Sequence, residues 1–317
     1  MTDSIPEGAH RLEIIDSEAH ASEPDLIERW LKNDSVVLLQ QVKQEKIDDL
    51  IAGVADRFGL RSGLELQASF AAIKNHRRNI SRYYMSVNAR KEYQCILPHC
   101  EGGSFANLQL VSFFCYENTT DGGHTILLNI DETSQVWSSL REQVKRGRVA
   151  NRKITEAEIS RARMKYHLQL PEDYLKEGDR VLREQATDVE GLTIVDALVM
   201  PRKTHSKILD KELFAFWSSM KSTEANLHHD FVSLLRRWGI YIEPPPEAEI
   251  HQKEASGSRE ERAQQDRRTL YEKLFKYKVV RKLEPGDLLI MNNQTWTHAA
   301  NNWSPGSGVR RIGVAIA

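Results

Sequence analysis

The chain is 317 residues long, with 40% hydrophobic and 28% charged side chains, a composition that supports a large buried core and excludes disordered and fibrous classes. Its 44 Lys+Arg and 45 Asp+Glu residues leave a formal net charge of −1. Nothing in the overall charge therefore favours binding to nucleic acid or to an anionic membrane surface, and we expect neither as a partner.

The first predicted elements follow the order helix, strand, helix. Ser22 is a predicted N-cap, with Pro24 in the first turn of the helix that follows. A β-branched run over 35–39 predicts a strand. Apolar residues at helical spacing over 47–58 predict a second helix, which ends at Gly59.

Short strands are predicted on both sides of a long middle segment. They cover 93–97, 110–116, 125–130, 277–283, 287–291 and 310–317. Between about 132 and 240 the pattern is mostly helical, and its clearest apolar stripe covers 227–238. Strands from the two ends of the chain must pair if either set is to be buried.

These elements predict a fold that is mainly β with helical insertions, in a single domain of residues 1–317. A double-stranded β-helix core, the jelly-roll or cupin-like barrel, suits such short strands because it leaves few exposed edges. The helical insertion is predicted at about 146–276. Within it, 244–268 opens with three prolines and is then rich in Glu, Lys, Arg and Gln, so we expect a mobile lid there.

Cysteine use and the N-terminal segment both bear on the cellular compartment. Cys95, Cys100 and Cys115 are the only cysteines, an odd number without CxxC spacing, which argues against a disulfide framework. The segment 1–7 has neither a basic start nor an apolar run, and no apolar run elsewhere approaches the roughly 20 residues that span a bilayer. We therefore expect a cytoplasmic protein that does not associate with membranes.

The clearest chemical motif is His99-Cys100-Glu101, at the end of a predicted strand. Side chains alternate along a strand, so His99 and Glu101 share one face while Cys100 points away. His298, which follows the predicted strand over 287–291, is a candidate third ligand. Two histidines and one carboxylate leave three positions of ferrous iron open, as a chelating co-substrate and dioxygen require.

Two further segments have residue types that suit a carboxylate ligand. Arg310-Arg311, on the last predicted strand, offers a permanently charged fork. Thr125 offers a hydroxyl at the start of another strand, directly after Gly122-Gly123-His124. Because side chains alternate along a strand, only one of the two arginines can face the inside of a barrel.

In their order along the chain, these motifs resemble those of the TauD/TfdA family of Fe(II)- and 2-oxoglutarate-dependent dioxygenases. That family has a Leu-Pro-His-x-[Asp/Glu] segment, then Gly-Gly-[Glu/Asp]-Thr, a Pro-Gly-Asp turn with its strand, a distal His and a terminal Arg. The corresponding residues here are Leu97-Pro98-His99-Cys100-Glu101, Gly122-Gly123-His124-Thr125, Pro285-Gly286-Asp287, His298 and Arg311. The match covers about 90–145 and 280–317.

The resemblance implies three ligands of Fe(II), namely His99, Glu101 and His298. It also implies that Arg311 pairs with the distal carboxylate of 2-oxoglutarate and that Thr125 donates a hydrogen bond to it. Arg310 competes with Arg311 for this role. The implied reaction uses O2, oxidises a small-molecule substrate, with hydroxylation as the expected outcome, and releases succinate and CO2.

The sequence departs from the family pattern at two positions. His124 stands where the family has an acidic residue, and Ala315 stands where many members carry a second Arg that helps to bind an anionic substrate group. The second departure argues against a substrate held from that strand through an anionic group. Relatives act on amino acids, sulfonates, herbicides and natural-product intermediates, so the resemblance does not give the primary substrate.

Two alternative functions stay open at the level of the sequence. One is a cupin-type metal enzyme that does not use 2-oxoglutarate, against which the pairing of Arg311 with Thr125 argues. The other is a barrel that binds a ligand without turnover, against which the complete ligand set argues. His124 is the alternative to His298 as third ligand, and a homo-oligomer is compatible with the sequence.

Overall fold

The computed structural model describes residues 5–8, 11–16, 24–74, 77–87, 90–104, 106–150, 152–246 and 269–317. The predicted N-cap Ser22 and most of the predicted lid, 247–268, lie outside these described residues. The chain divides into two compact units. The first comprises 1–136, 203–218 and 225–317, and the second comprises 137–202 and 219–224.

Strands make up most of the regular structure in the described residues. They are β1 (Leu12–Asp16), β2 (Val36–Gln40), β3 (Met85–Ser86), β4 (Ile96–His99), β5 (Leu110–Asn118), β6 (Thr125–Ile130), β7 (Leu140–Val149), β8 (Arg180–Ala186), β9 (Leu192–Val199), β10 (Thr204–Ser206), β11 (Lys211–Leu213), β12 (Met220–Ser222), β13 (Phe275–Arg281), β14 (Leu288–Asn292), β15 (Trp296–Ala300) and β16 (Arg310–Ile316). The helices are α1 (Pro24–Lys32), α2 (Ile47–Arg57), α3 (Arg61–Lys74), α4 (Glu156–Tyr166), α5 (Leu227–Arg237) and α6 (Leu270–Leu274).

Two sheets of the first unit pack face to face. One has the strand order β1-β2-β14-β5-β16-β3 and the other β13-β6-β15-β4, so strands from both ends of the chain are neighbours in each. Val111 and Val314 from the first sheet share one buried apolar cluster with Leu127 and Trp296 from the second. The predicted jelly-roll core is therefore confirmed.

Helices α1, α2 and α3 cover the other face of the six-stranded sheet. Leu31, Ile51 and Leu64, one from each helix, lie in one buried cluster with Leu39 of β2 and Phe114 of β5. Strand β2 is thus buried on both faces, which explains its continuous apolar sequence. None of the described helices combines the length and the apolar character needed to span a membrane.

The second unit corrects the prediction of a mostly helical middle segment. Its sheet has the order β12-β7-β9-β8, and α4 is the helix that it contributes between β7 and β8. Strand β8 is exposed along its whole length, so charged residues with good helix propensity occupy a strand there. The boundaries of this unit differ from the predicted insertion at about 146–276, and the single domain of 1–317 stays a prediction.

A buried ion cluster lies within the second unit. The guanidinium of Arg146, which is 2% exposed, donates from Nη1 to Asp173 Oδ1 and from Nε to Asp179 Oδ2, both at 3.2 Å. We expect Arg146→Met to destabilise the unit by about 3–5 kcal/mol, because it leaves both carboxylates without their cation. Chemical denaturation followed by hydrogen exchange in β7 measures this loss.

Arg148 provides the matched control for this variant. It is on the same strand and pairs with Glu184 at 2.6 Å, but both side chains are more than 40% exposed. Arg148→Met should therefore cost less than about 1 kcal/mol. Equal losses for the two variants would contradict a special role of the buried cluster.

Candidate metal centre

Two neighbouring strands bring the two predicted histidine ligands together. His99, the last residue of β4, lies directly opposite His298 of β15, and their ring centroids are 4.3 Å apart. Glu101 follows two residues after His99, while Cys100 between them is buried and donates its N–H to the carbonyl of Phe216. One donor atom from each of His99, Glu101 and His298 lies within 4.8 Å of the others.

The main chain of Glu101 is held in place by a buried amide. Asn293 Oδ1 accepts from the Glu101 N–H at 2.8 Å, and Asn293 Nδ2 donates to the Glu101 carbonyl at 3.0 Å and to the Leu108 carbonyl at 2.6 Å. Asn293 is fully buried directly after β14. In the sequence, an asparagine at this position is typical of a turn. Its contact with Glu101, 192 positions away, leaves no signal in the local sequence.

The pKa values of His99 and Glu101 suit binding to a divalent metal. Burial, reinforced by the nearby His298 ring, lowers the pKa of His99 to about 4, so its imidazole is neutral. Its Nδ1 lies 2.8 Å from the Leu97 carbonyl; with the proton on Nδ1, the Nε2 lone pair is available. Burial alone would raise the pKa of Glu101, but contact with His298 and the charge of Arg77 lower it far below its ordinary value.

Arg77 is a charged neighbour of the centre that the motifs did not indicate. Its Nη2 donates to Glu101 Oε1 at 2.8 Å, and the two side chains are only 17% and 18% exposed. The same carboxylate oxygen lies 3.6 Å from His298 Nε2. Two imidazoles and one carboxylate form the donor set that ferrous iron or Mn(II) accepts, so these residues fit such a metal.

A second polar group lies on the same inner face of the barrel. Thr125, at the start of β6, is paired with Ala300 of β15, two residues beyond His298. The side chains of Thr125, Ala300 and His298 therefore share one face of this sheet. His298 and Ala300 are about 7 Å apart along β15. Thr125 is 5% exposed.

Arg310 is the arginine that faces this hydroxyl. Its Nη2 lies 3.4 Å from Thr125 Oγ1, and its Nε donates to the Gly123 carbonyl at 3.1 Å. Burial lowers the pKa of Arg310 to about 10. Within the part of the chain that the structure describes, no carboxylate lies within ion-pairing distance of it. The buried cation therefore suits an anionic ligand.

This placement favours Arg310 over the predicted Arg311. Along β16, Ile312, Val314 and Ile316 face the core between the sheets, and Arg310 continues that series. Arg311 belongs to the opposite face, where it is exposed and lies over the Tyr116 ring, with 5.2 Å between Cζ and the ring centroid. Alternation along the strand keeps it away from Thr125.

The glycine pair before Thr125 allows a close crossing of two chain segments. A Cβ at position 122 would lie 2.0 Å from the Asn302 carbonyl oxygen, and Gly123 has a φ of +71°. The next residue, His124, donates its N–H to Asn301 Oδ1 at 2.6 Å. In the described residues, His124 is not part of the group that could hold a metal ion.

A second arginine that sequence reasoning missed lies close to Arg310. Arg90 Cζ is 4.4 Å from the centroid of the Trp303 ring, and Arg310 Cζ is 5.7 Å from the same centroid. Arg90 also donates to the Asn301 carbonyl at 3.1 Å. Burial, together with the charge of Arg310, lowers the pKa of Arg90 to about 9. The two guanidiniums make the surroundings of the Trp303 ring strongly positive.

The chain is similar to dioxygenases of known structure. AAD-2 in complex with Mn(II) and N-oxalylglycine matches with a TM-score of 0.42 and 13% identity, over 98% of this chain and 95% of that chain. A putative alpha-ketoglutarate-dependent 2,4-D dioxygenase from Burkholderia xenovorans matches with a TM-score of 0.39 and 13% identity, over 98% and 95%.

A taurine dioxygenase from Burkholderia xenovorans matches with a TM-score of 0.41 and 11% identity, over 98% of this chain and 87% of that chain. No protein-family model and no curated protein sequence matches the chain.

Asn293→Ala tests whether the buried amide positions Glu101. We expect metal affinity to fall by about 10- to 100-fold, as for other groups that orient a ligand. The free energy of unfolding should fall by about 1–3 kcal/mol because buried partners lose their hydrogen bonds. Calorimetric titration with Mn(II) and chemical denaturation measure the two effects.

Asn226→Ala separates a loss of stability from a loss of metal affinity. Asn226 caps α5 by accepting from the N–H groups of His228 and His229, so its removal should cost about 1 kcal/mol. Metal affinity should not change in this variant. If Asn293→Ala also left metal affinity unchanged, the positioning role would be wrong.

Proposed function

We propose that this protein is an Fe(II)- and 2-oxoglutarate-dependent oxygenase of a small-molecule substrate. In the balanced reaction, 2-oxoglutarate, O2 and a substrate C–H group give succinate, CO2 and a hydroxylated product. One oxygen atom enters the succinate and the other enters the product. His99, Glu101 and His298 would hold the metal, and Arg310 with Thr125 would hold the distal carboxylate of 2-oxoglutarate.

One observation carries the proposal. A buried arginine without a carboxylate partner among the described residues lies beside the Thr125 hydroxyl, on the same inner surface as the three donors. Thr125 lies opposite Ala300, two residues beyond His298 on β15, so the hydroxyl and the metal donors lie close together on this surface. A metal site alone would not require this second, positively charged group.

The protein side chains would bind, orient and shield the reactants. When bound, Fe(II) supplies the redox chemistry that couples decarboxylation of the keto acid to oxidation of the substrate. Arg310 would fix the orientation of the co-substrate through charge-assisted hydrogen bonds. Phe113, whose ring centroid is 4.9 Å from that of His298, provides an apolar wall beside the donors.

The test begins without oxygen. Fe(II) and 2-oxoglutarate are added anaerobically, and the weak visible charge-transfer band of a chelated keto acid is recorded. Oxygen is then admitted with a panel of small molecules, and succinate is quantified. With 18O2, we expect one labelled oxygen in succinate and one in the hydroxylated product.

Two results would contradict the proposal. Metal-dependent oxidation without any need for 2-oxoglutarate would favour a cupin-type enzyme on the same barrel. If the protein bound metal and 2-oxoglutarate but formed no succinate from 2-oxoglutarate, either with any member of the panel or without added substrate, a ligand-binding barrel would be favoured. The succinate label is the firmer readout, because product oxygen can exchange with water.

A further inference from the structure

Arg77 places a permanent positive charge against the carboxylate that would bind the metal. Its Nη2 lies 2.8 Å from Glu101 Oε1, and this oxygen is also the one nearest to His298 Nε2, at 3.6 Å. The positive charge of Arg77 therefore lies against the carboxylate oxygen that would bind the metal. Such a pair is screened little because both side chains are mostly buried.

The position of Glu101 does not depend on Arg77 alone. Asn293 holds both the N–H and the carbonyl of Glu101, and the preceding residue, Cys100, is tied to the Phe216 carbonyl. Strand β4 fixes His99 on the other side. Because the main chain is held independently, loss of Arg77 removes the positive charge beside Oε1, while the main chain that carries the ligand stays in place.

We propose that the charge of Arg77 sets the metal affinity and the co-substrate affinity of this centre in opposite directions. It weakens the binding of a divalent cation, and it strengthens the binding of a dianionic keto acid to the metal-loaded site. The two effects are separate charge interactions, so the factor by which each ligand raises the affinity for the other does not depend on Arg77. This inference rests on the proposed function of the centre.

Anaerobic calorimetry with Mn(II), followed by titration with 2-oxoglutarate, tests both effects without turnover. Arg77→Met should bind Mn(II) alone at least about tenfold more tightly than the unmodified protein. The Mn(II)-loaded Arg77→Met variant should bind 2-oxoglutarate at least about tenfold more weakly than the Mn(II)-loaded unmodified protein. Arg77→Gln, which is also neutral, should behave like Arg77→Met.

Two further variants separate charge from geometry. Arg77→Lys keeps the charge and should retain both the weak binding of Mn(II) alone and the tight binding of 2-oxoglutarate to the metal-loaded site. Arg78→Met removes the exposed neighbouring arginine and should change neither quantity. Circular dichroism checks that each variant is folded.

Three results would overturn the inference. Mn(II) binding by Arg77→Met and Arg77→Gln that is unchanged or weaker would show that Arg77 only orients Glu101. Arg77→Lys behaving like the neutral variants would show that guanidinium geometry decides. If the folded, unmodified protein bound no Mn(II), the proposed function would fail as well, whereas Mn(II) binding by that protein with unchanged affinities in the variants would remove only the role of Arg77.

Discussion

Replacing His298 with alanine is expected to abolish 2-oxoglutarate turnover while the protein stays folded. Loss of a group that merely orients a ligand costs about 10- to 100-fold in metal affinity, and loss of the ligand itself should cost more. His298 lies at the inner surface of β15, where its ring contacts those of His99 and Phe113. Its removal therefore takes away a metal donor and little of the packed core.

The measurement combines two quantities on the same preparation. Mn(II) affinity is determined by calorimetry, and succinate formation is determined after addition of Fe(II), 2-oxoglutarate and oxygen. Both should fall by more than about 100-fold in His298→Ala. The same result is expected for His99→Ala and Glu101→Ala.

His124→Ala is the matched control, because His124 was the alternative third ligand. It lies outside the donor group, and its N–H contact with Asn301 comes from the main chain and survives the substitution. Metal affinity should stay within about twofold of that of the unmodified protein. Retained activity in His298→Ala with loss in His124→Ala would reverse the assignment of the third ligand.

Local periodicity explains why the core of the fold could be predicted from the sequence. Strands such as β5, β6 and β14 are apolar, short and bounded by turn residues, so their type is evident without tertiary context. The His99-Cys100-Glu101 triplet likewise places both donors on one face through the two-residue repeat alone. The strand that carries His298 was not predicted, because β15 contains Thr, His and Ala.

Long-range contacts explain what the sequence could not show. Arg77 and Asn293 reach Glu101 from 24 and 192 residues away, and neither is part of a recognisable motif. The sequence of the second unit predicts helix where the structure has strands. In β8, for example, the exposed positions carry Arg, Glu and Gln, which also favour helices. Tertiary pairing, not local propensity, decides the structure there.

The choice between the two arginines, in contrast, had a signal in the sequence. On β16 the large residues Ile312, Val314 and Ile316 alternate with Gly313 and Ala315. Large apolar side chains at even positions indicate the face that is buried between the sheets, and Arg310 shares their parity. Alignment with the family motif favours Arg311 as the residue that binds the co-substrate, whereas the alternation along β16 favours Arg310.

Arg310→Leu should raise the apparent KM for 2-oxoglutarate by at least about tenfold, since charge-assisted hydrogen bonds contribute about 1.5–3 kcal/mol each. Leucine keeps an apolar stem between the sheets and removes the cation beside Thr125. Succinate formation at varied 2-oxoglutarate concentration, with Mn(II) affinity as a check on the metal site, measures the effect. Metal affinity without 2-oxoglutarate should change little.

Arg311→Leu is the control that makes this prediction decisive. The two variants lose the same charge from adjacent positions, so any effect of net charge on the dianion is common to both. Only Arg310 contacts the Thr125 hydroxyl, whereas Arg311 lies over Tyr116 on the opposite face. Arg311→Leu should therefore change the KM by less than about threefold, in line with an exposed charge. The reverse ranking would place the co-substrate on the other face of β16 and would remove the observation on which the proposed function rests.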